Sequence, residues 1–234
     1  MKGYKNKYRP IKCKSLSTVL LVTFSIALTV SIGFAQAGES SSTDKSNYAV
    51  LKGGIYTPGS NDLKGFGTGF NGEIAFGHYL NKFFATEIGI GYYQSKCSEA
   101  VSGSIGDDSF SGGANMDLWA MPVTVSLKAL YPMQQFEPYA IGGIGAYFAN
   151  AKFTYNGTFT SGRASGTAAG SESANATAFG GFLGLGANFN FDQNWYIGAE
   201  GKYLWTRPSF SFYGVDIKMN MDGWIVTGNV GYKF

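Results

Sequence analysis

Three glutamates and three lysines are the residues of this chain whose chemistry could handle protons or ions. We predict that all six lie on the inward faces of the β-strands derived below: Lys52, Glu73, Glu87, Lys128, Glu200 and Lys202. Such inward charges could conduct ions or transfer protons. The alternative is a structural ion-pair network. The network is favoured because an eight-stranded barrel is only wide enough for its own side chains, and because buried charges must be paired.

Hydrolytic catalysis has little support in the sequence. His78 is the single histidine, and Tyr79 and Leu80 follow it without a nearby serine. A Ser–His–acid arrangement would have to use this histidine. We instead predict a solvated structural position for His78 at the rim of a strand, and we predict no catalytic residue, no enzyme activity and no cofactor.

A metal site is not predicted either. Asp107 and Asp108 form an acidic pair in a predicted loop. Two adjacent acids lack the alternating ligand spacing of a calcium loop, so a solvated loop is favoured.

The first 37 residues differ in character from the rest. Six cations precede an apolar stretch from Leu20 to Phe34, and Ala35-Gln36-Ala37 closes it. This order is typical of a secretory signal peptide, with Ala35 and Ala37 as the small residues of a cleavage site before Gly38. An uncleaved helical anchor is the alternative, since the stretch could nearly span a bilayer. Its many serines and threonines favour cleavage.

Removal of residues 1–37 reverses the sign of the net charge. The loss of six cations leaves twelve basic residues against fifteen acidic ones, which changes a net charge of +3 to −3. The mature chain then lacks the basic excess that nucleic-acid binding requires, so no nucleic-acid partner is predicted.

Beyond a polar, flexible segment at 38–46, apolar and polar residues alternate in eight segments. Each is about as long as the roughly 9–11 residues that a tilted strand needs to cross a bilayer. The predicted strands are 47–57, 69–80, 83–93, 116–130, 137–153, 178–191, 195–206 and 221–234. Aromatic residues cluster near the strand ends, as expected where rings lie at the lipid headgroups. The assigned residues are Tyr79, Phe83, Tyr131, Phe136, Tyr139, Phe191, Trp195 and Phe234 at one rim and Tyr92, Trp119, Tyr147, Trp205 and Trp224 at the other.

The connections alternate between long and short. Long connections rich in Gly, Ser, Asn and Asp fall at 58–68, 94–115, 154–177 and 207–220, and tight turns separate them. The third long connection is expected to be flexible. This rhythm predicts an all-β fold, an eight-stranded antiparallel up-and-down transmembrane β-barrel over 47–234.

A soluble, lipocalin-like barrel shares the strand count and the alternation, with the apolar faces turned inward instead. The alternation alone does not distinguish the two faces. The final strand, which runs to an aromatic Phe234, favours the membrane barrel.

Several short motifs resemble the small outer-membrane β-barrel proteins of the OmpA/OmpX-type and opacity-like group, within the porin-like superfamily. They are Asn81 with Phe83-Phe84 and Glu87-Ile88-Gly89, then Leu118-Trp119-Ala120-Met121-Pro122-Val123, Pro138-Tyr139 with Gly142-Gly143-Ile144-Gly145, and the terminal Val230-Gly231-Tyr232-Lys233-Phe234. The resemblance covers about 47–234. It implies that Val230, Tyr232 and Phe234 form a C-terminal assembly signal for the outer-membrane insertion machinery.

The resemblance also implies a location in the cell outer membrane of a Gram-negative bacterium, in contact with lipid and lipopolysaccharide. Fold does not fix activity, so three hypotheses remain. The first is a monomeric surface protein, a surface antigen, whose four extracellular loops serve adhesion or envelope integrity through host or cell-surface ligands. The second is a narrow porin-like channel or a conduit for small or hydrophobic solutes. The third and weakest is a lipid-modifying enzyme.

Overall fold

The computed structural model describes residues 46–105, 108–161, 164–212 and 215–234. All regular structure in these residues is β. The strands are β1 Asn47–Pro58, β2 Gly69–Asn81, β3 Phe84–Ile105, β4 Asp108–Leu130, β5 Phe136–Ser161, β6 Ala164–Asn190, β7 Trp195–Thr206, β8 Ser209–Phe212, β9 Val215–Lys218 and β10 Gly223–Lys233. No helix among the described residues is long and apolar enough to cross a membrane.

Eight of these ten strands close into a ring. Each pairs antiparallel with its two neighbours in the ring: β1 to β7 pair in chain order, β7 pairs with β10, and β10 pairs with β1 from Tyr48 opposite Lys233 to Pro58 opposite Gly223. A sheet in hydrocarbon must pair every backbone N–H and C=O group, and closure leaves no free edge to expose. The predicted eight-stranded antiparallel barrel is confirmed.

The two faces of the ring differ as the alternation predicts. Outward-facing Ile74, Ile88, Val125 and Leu183 are exposed on the isolated chain, whereas inward-facing Lys52 is buried. On β4 the outward apolar run extends from Ala129 to Trp119, which at a tilt of about 40° spans roughly 25 Å along the membrane normal. That height matches the apolar band of an outer-membrane barrel.

Aromatic side chains border this band at both ends, but three assignments were wrong. Phe84, Phe136, Trp195 and Phe234 face outward near the short turns, and Trp119, Trp205 and Trp224 do so at the other end. Tyr79, Tyr139 and Tyr147, predicted to lie in the two belts, instead point into the interior, where Tyr139 and Tyr147 are buried. Every second residue of a strand faces inward. Each of these three tyrosines lies an even number of residues from the other inward residues of its strand, so its ring faces inward too.

Two predicted long loops are largely strand. The regions 94–115 and 154–177 continue β3 to β6 well past the apolar band, with β5 paired to β6 up to Ser161 opposite Ala164. We call this extension of β3 to β6 beyond Tyr92, Trp119, Phe148 and Phe179 the outer sheet. It carries roughly 40 Å of β5 past Phe148 at the usual rise per residue.

The other two long connections cover the mouth of the barrel on the same side. The connection 207–220 contains the β8–β9 hairpin, and Ser60 donates a hydrogen bond to the carbonyl oxygen of Asn220. Leu63, Phe210 and Met221 are buried beneath this cover at 2% exposure or less.

The predicted signal peptide 1–37, with Ala35 and Ala37, lies outside the described residues, as do residues 38–45 and Asp107. The cleavage site and the flexible N-terminal segment therefore stay predictions.

Candidate functional site

The six predicted charges meet in one cluster inside the barrel. Lys52 lies at its centre, and its Nζ is 2.8 Å from Glu73, 2.6 Å from Glu87 and 3.3 Å from Glu200. The lysine side chain is fully buried. Because an unpaired ammonium in such a position is strongly unfavourable, the three carboxylates are what allow Lys52 to stay charged there.

Two further lysines complete the cluster from other strands. Lys128 Nζ is 2.5 Å from Glu87, and Lys202 Nζ is 2.5 Å from Glu73 and 3.4 Å from Glu200. Three cations therefore balance three carboxylates, and all six residues are at most 7% exposed. We call these six residues the interior network.

Strand register explains why residues so far apart in sequence meet. Lys52 on β1 lies directly opposite Glu73 on β2 and Asn229 on β10. Glu87 and Glu200 reach the same level from β3 and β7. In a ring, the inward positions of every strand converge on one axis, so charges of the right parity come together across the lumen.

Two tyrosines make further hydrogen bonds to carboxylates of the interior network. Tyr48 donates a hydrogen bond to Glu87 Oε2 at 3.1 Å, and Tyr139 donates one to Glu200 Oε2 at 3.1 Å. The Lys128 ammonium lies 4.7 Å from the centre of the Tyr139 ring, within the range of a cation–π contact. Protein groups therefore contribute directly to the solvation of these buried charges.

Sequence reasoning missed one buried charge. Glu137 on β5 is 8% exposed, accepts a hydrogen bond from Asn188 Nδ2 at 3.0 Å, and lies 3.9 Å from Lys233 Nζ. The available signal was the alternation along β5, because Glu137 lies two positions from Tyr139 and therefore on the same inward face.

Little open space remains directly beside the network. A cavity of about 10 Å³ remains beside Glu73 and Lys202, lined also by Tyr93 and Phe182. That volume is close to the smallest that holds a single water. Tyr56 donates a hydrogen bond to the carbonyl oxygen of Met221 at 3.0 Å and ties the wall to the mouth cover.

His78 and Asp108, which the sequence analysis also considered for chemistry, lie apart from this cluster. His78 is exposed on the outward face of β2 near the short turns, and its Nδ1 is 2.9 Å from Asn47 Oδ1. Asp108 begins β4 at the tip of the outer sheet. Among the described residues, no group of three His, Cys, Asp or Glu side chains is arranged to hold a metal ion.

The outer sheet has surface features that the sequence interpretation did not predict. Its inward face carries exposed aromatic rings, Tyr155 and Phe159. Its outward face carries polar groups, including an ion pair of 3.4 Å between Lys96 Nζ and Asp117 Oδ1. The signal that could have located them is the continued period of two through 94–115 and 154–177, which the Gly, Ser and Thr content obscured.

The residues of the predicted assembly signal lie on the outward face of the last strand. The Phe234 ring packs edge-on against Phe76 at 5.6 Å between ring centres, and Tyr232 packs against Trp195 at 4.8 Å. The Phe234 N–H donates to the carbonyl oxygen of Asn47 at 2.8 Å. The C-terminus therefore helps to close the barrel seam.

The closed ring, the apolar outer face and the polar, plugged interior define a transmembrane β-barrel of the outer-membrane kind. A family model described as "Outer membrane protein beta-barrel domain" matches residues 25–234. The chain belongs to this family, and its location is the outer membrane.

The chain is also similar to solved structures of low sequence identity. The chain is similar to the outer membrane protein OprG of Pseudomonas aeruginosa, with 16% identity over 81% of this chain and 96% of that one, at a TM-score of 0.48. It is also similar to Neisserial surface protein A, with 14% identity over 80% of this chain and 96% of that one, at a TM-score of 0.41. A comparison with curated protein sequences finds no match.

Proposed function

We propose that this chain is a surface-interaction protein, in which the barrel is a membrane anchor and the outer sheet is the part that meets partners outside the cell. The observation that carries the proposal is the contrast between the two parts. The lumen is filled by a charge-balanced, buried network, while four strands continue far beyond the lipid band.

Two features support a binding role for the outer sheet. Large exposed aromatic rings such as Phe159, at 54% exposure, are of the kind enriched at protein interfaces and are available to a partner. The strands that carry them are also long and mutually paired, so they hold those rings in fixed positions, which lowers the entropy lost on binding.

Epitope insertion on intact cells tests the topology that this function requires. A tag placed between Ser161 and Ala164, at the tip of the β5–β6 hairpin, should bind antibody without permeabilisation. The same tag placed after Gln193, in the β6–β7 turn, should bind only after the outer membrane is opened. The reverse pattern would contradict the proposal.

Conductance of the purified protein in planar bilayers separates this function from a channel. The filled lumen predicts no reproducible single-channel steps under conditions in which the protein is shown to be folded and inserted. Regular steps that vanish when Lys52 or Glu200 is replaced would instead support a conducting pore.

A further inference from the structure

Three charged residues form a row on the outward face of the outer sheet. Lys96 on β3 lies opposite Asp117 on β4, and Asp117 lies opposite Lys152 on β5. Lys96 and Lys152 are exposed and Asp117 is partly exposed. We call these three residues the basic row, because its two cations outnumber its one anion.

The basic row lies at a defined height above the lipid band. Lys96 and Lys152 follow Tyr92 and Phe148, the last outward aromatic rings of their strands, by four residues each. Four residues correspond to roughly 13 Å along a strand and to about 10 Å along the membrane normal at the usual tilt. The phospholipid headgroup region reaches only about 5–7 Å beyond the hydrocarbon, so the row lies above phospholipid phosphates.

The charges of the row are available to an external anion. Lys152 makes no ion pair with any of the described residues. The Lys96–Asp117 pair, 3.4 Å apart with side chains 65% and 41% exposed, is of the weak, solvent-screened kind. The two lysines are two strands apart, roughly 10 Å between backbones, so both can approach one phosphorylated headgroup.

The flanking outward positions supply neutral hydrogen-bonding groups. They are Gln94, Ser98, Asn115, Asn150, Thr154, Ser173 and Asn175. Asn150 Nδ2 already donates to Asn175 Oδ1 at 2.8 Å, which orients two of these amides along the sheet surface. Amide and hydroxyl groups around a pair of cations match a sugar that carries phosphate.

We propose that the basic row binds the phosphorylated sugar headgroup of lipopolysaccharide in the outer leaflet. Lys96 and Lys152 contact phosphate, and the neighbouring amides and hydroxyls contact sugar. The inference depends on the orientation given under the proposed function, with the outer sheet outside the cell, but it needs no protein partner for that sheet. Failure of the epitope experiment and failure of the binding experiment are therefore distinguishable.

Lipid binding by the purified full chain tests this proposal. Affinity for lipopolysaccharide in detergent solution is compared with affinity for dephosphorylated lipopolysaccharide and for phosphatidylglycerol. Replacement of Lys96 and Lys152 by Gln should weaken lipopolysaccharide binding by about 5-fold for each charge removed. Asp117→Asn should strengthen it, because the row then lacks its anion. Added salt should weaken binding to the parent chain.

Lys218→Gln is the matched control, because it removes an exposed cation of β9 outside the row, and its affinity should equal that of the parent chain. Heat-modifiable gel mobility verifies that every variant is folded. Three results would overturn the proposal: unchanged affinity in the Lys96/Lys152 double variant, equal binding of dephosphorylated lipopolysaccharide, or equal binding of phosphatidylglycerol.

Discussion

At the scale of single residues, the six side chains of the interior network can be buried because their charges pair with one another. Lys52 contacts three carboxylates that belong to three different strands. Each partner alone would be a buried, uncompensated charge. The network therefore joins strands that do not pair with each other and resists any motion that would open the lumen.

Replacement of Lys52 by Met should lower the free energy of unfolding by about 3–5 kcal/mol, because three carboxylates would then share two lysines in a buried site. Urea titration of the protein in lipid vesicles, followed by tryptophan fluorescence, measures the change. Lys82→Met, in the exposed turn after β2, should change it by less than about 0.5 kcal/mol. Equal unfolding midpoints for the two variants would show that the network is not stabilising.

A second residue-scale prediction concerns tyrosine rings that lie flat on glycines. The Tyr196 ring covers Gly231 so closely that an added Cβ would overlap it, whereas a Cβ at Gly228 on the same strand meets nothing within 4 Å. Gly231→Ala should therefore destabilise the barrel by about 1–3 kcal/mol through overpacking. Gly228→Ala, which faces lipid, should leave the urea midpoint nearly unchanged. A Gly231→Ala midpoint equal to that of Gly228→Ala would refute this packing account.

From the sequence, the face on which a charged residue lies could be predicted, because it depends on the alternation along one strand. The residues that it meets across the lumen could not, because they depend on the register between strands. Alternation assigned Lys52, Glu87 and Glu200 to the interior. It could not show that Lys52 is central, because that depends on the stagger of strands around the ring. Glu137 was missed although its parity was right, since proximity to a turn made it resemble an exposed residue.

At the scale of elements, the lipid-spanning part of each strand was predictable and the outer sheet was not. In lipid, one face is apolar and the other polar, so the period of two is visible in the sequence. Beyond Tyr92 and Phe148 the outward face meets water and the inward face is buried only near the mouth of the barrel, as at Ser95 and Ala151. The period of two is therefore weak among the Gly, Ser and Thr residues. Small residues such as those from Ala164 to Ala178 then resemble a loop, although in-register pairing with β5 holds them extended.

The part of the outer sheet formed by β5 and β6 beyond Thr154 should be dispensable for barrel formation. Thr154 lies opposite Ser171, so deletion of residues 155–170 with an Asn-Gly turn in their place shortens β5 and β6 without changing register below. The variant should still reach the outer membrane and show heat-modifiable mobility. Failure to fold in lipid would mean that the extension belongs to the folding unit of the barrel.

The last strand should matter more for assembly in the cell than for final stability. Phe234 lies at the seam, against Phe76, and we propose that it forms the assembly signal together with Val230 and Tyr232. Phe234→Ala should reduce the amount of protein inserted in cells several-fold, while refolding of the purified chain into detergent proceeds. Leu80→Ala, another outward residue of the same rim, is the control. Equal insertion of both variants would contradict a signal role.

At the scale of the whole molecule, the proposed function divides the chain into an anchor and a display surface. Closure of the ring satisfies the backbone in hydrocarbon, and the interior network and the mouth cover fill the lumen. The four strands of the outer sheet then extend from one half of the ring. Such an anchor requires that the apolar face of every spanning strand contacts lipid.

Tryptophan fluorescence in vesicles with brominated lipids tests that claim most directly. All four tryptophans, Trp119, Trp195, Trp205 and Trp224, lie on the outward face at the two ends of the apolar band. Bromine placed high on the acyl chains should quench them strongly, bromine near the bilayer centre should quench them less, and aqueous acrylamide should have little effect. A chain that stays soluble without detergent, with tryptophans that brominated lipid does not quench, would contradict the account.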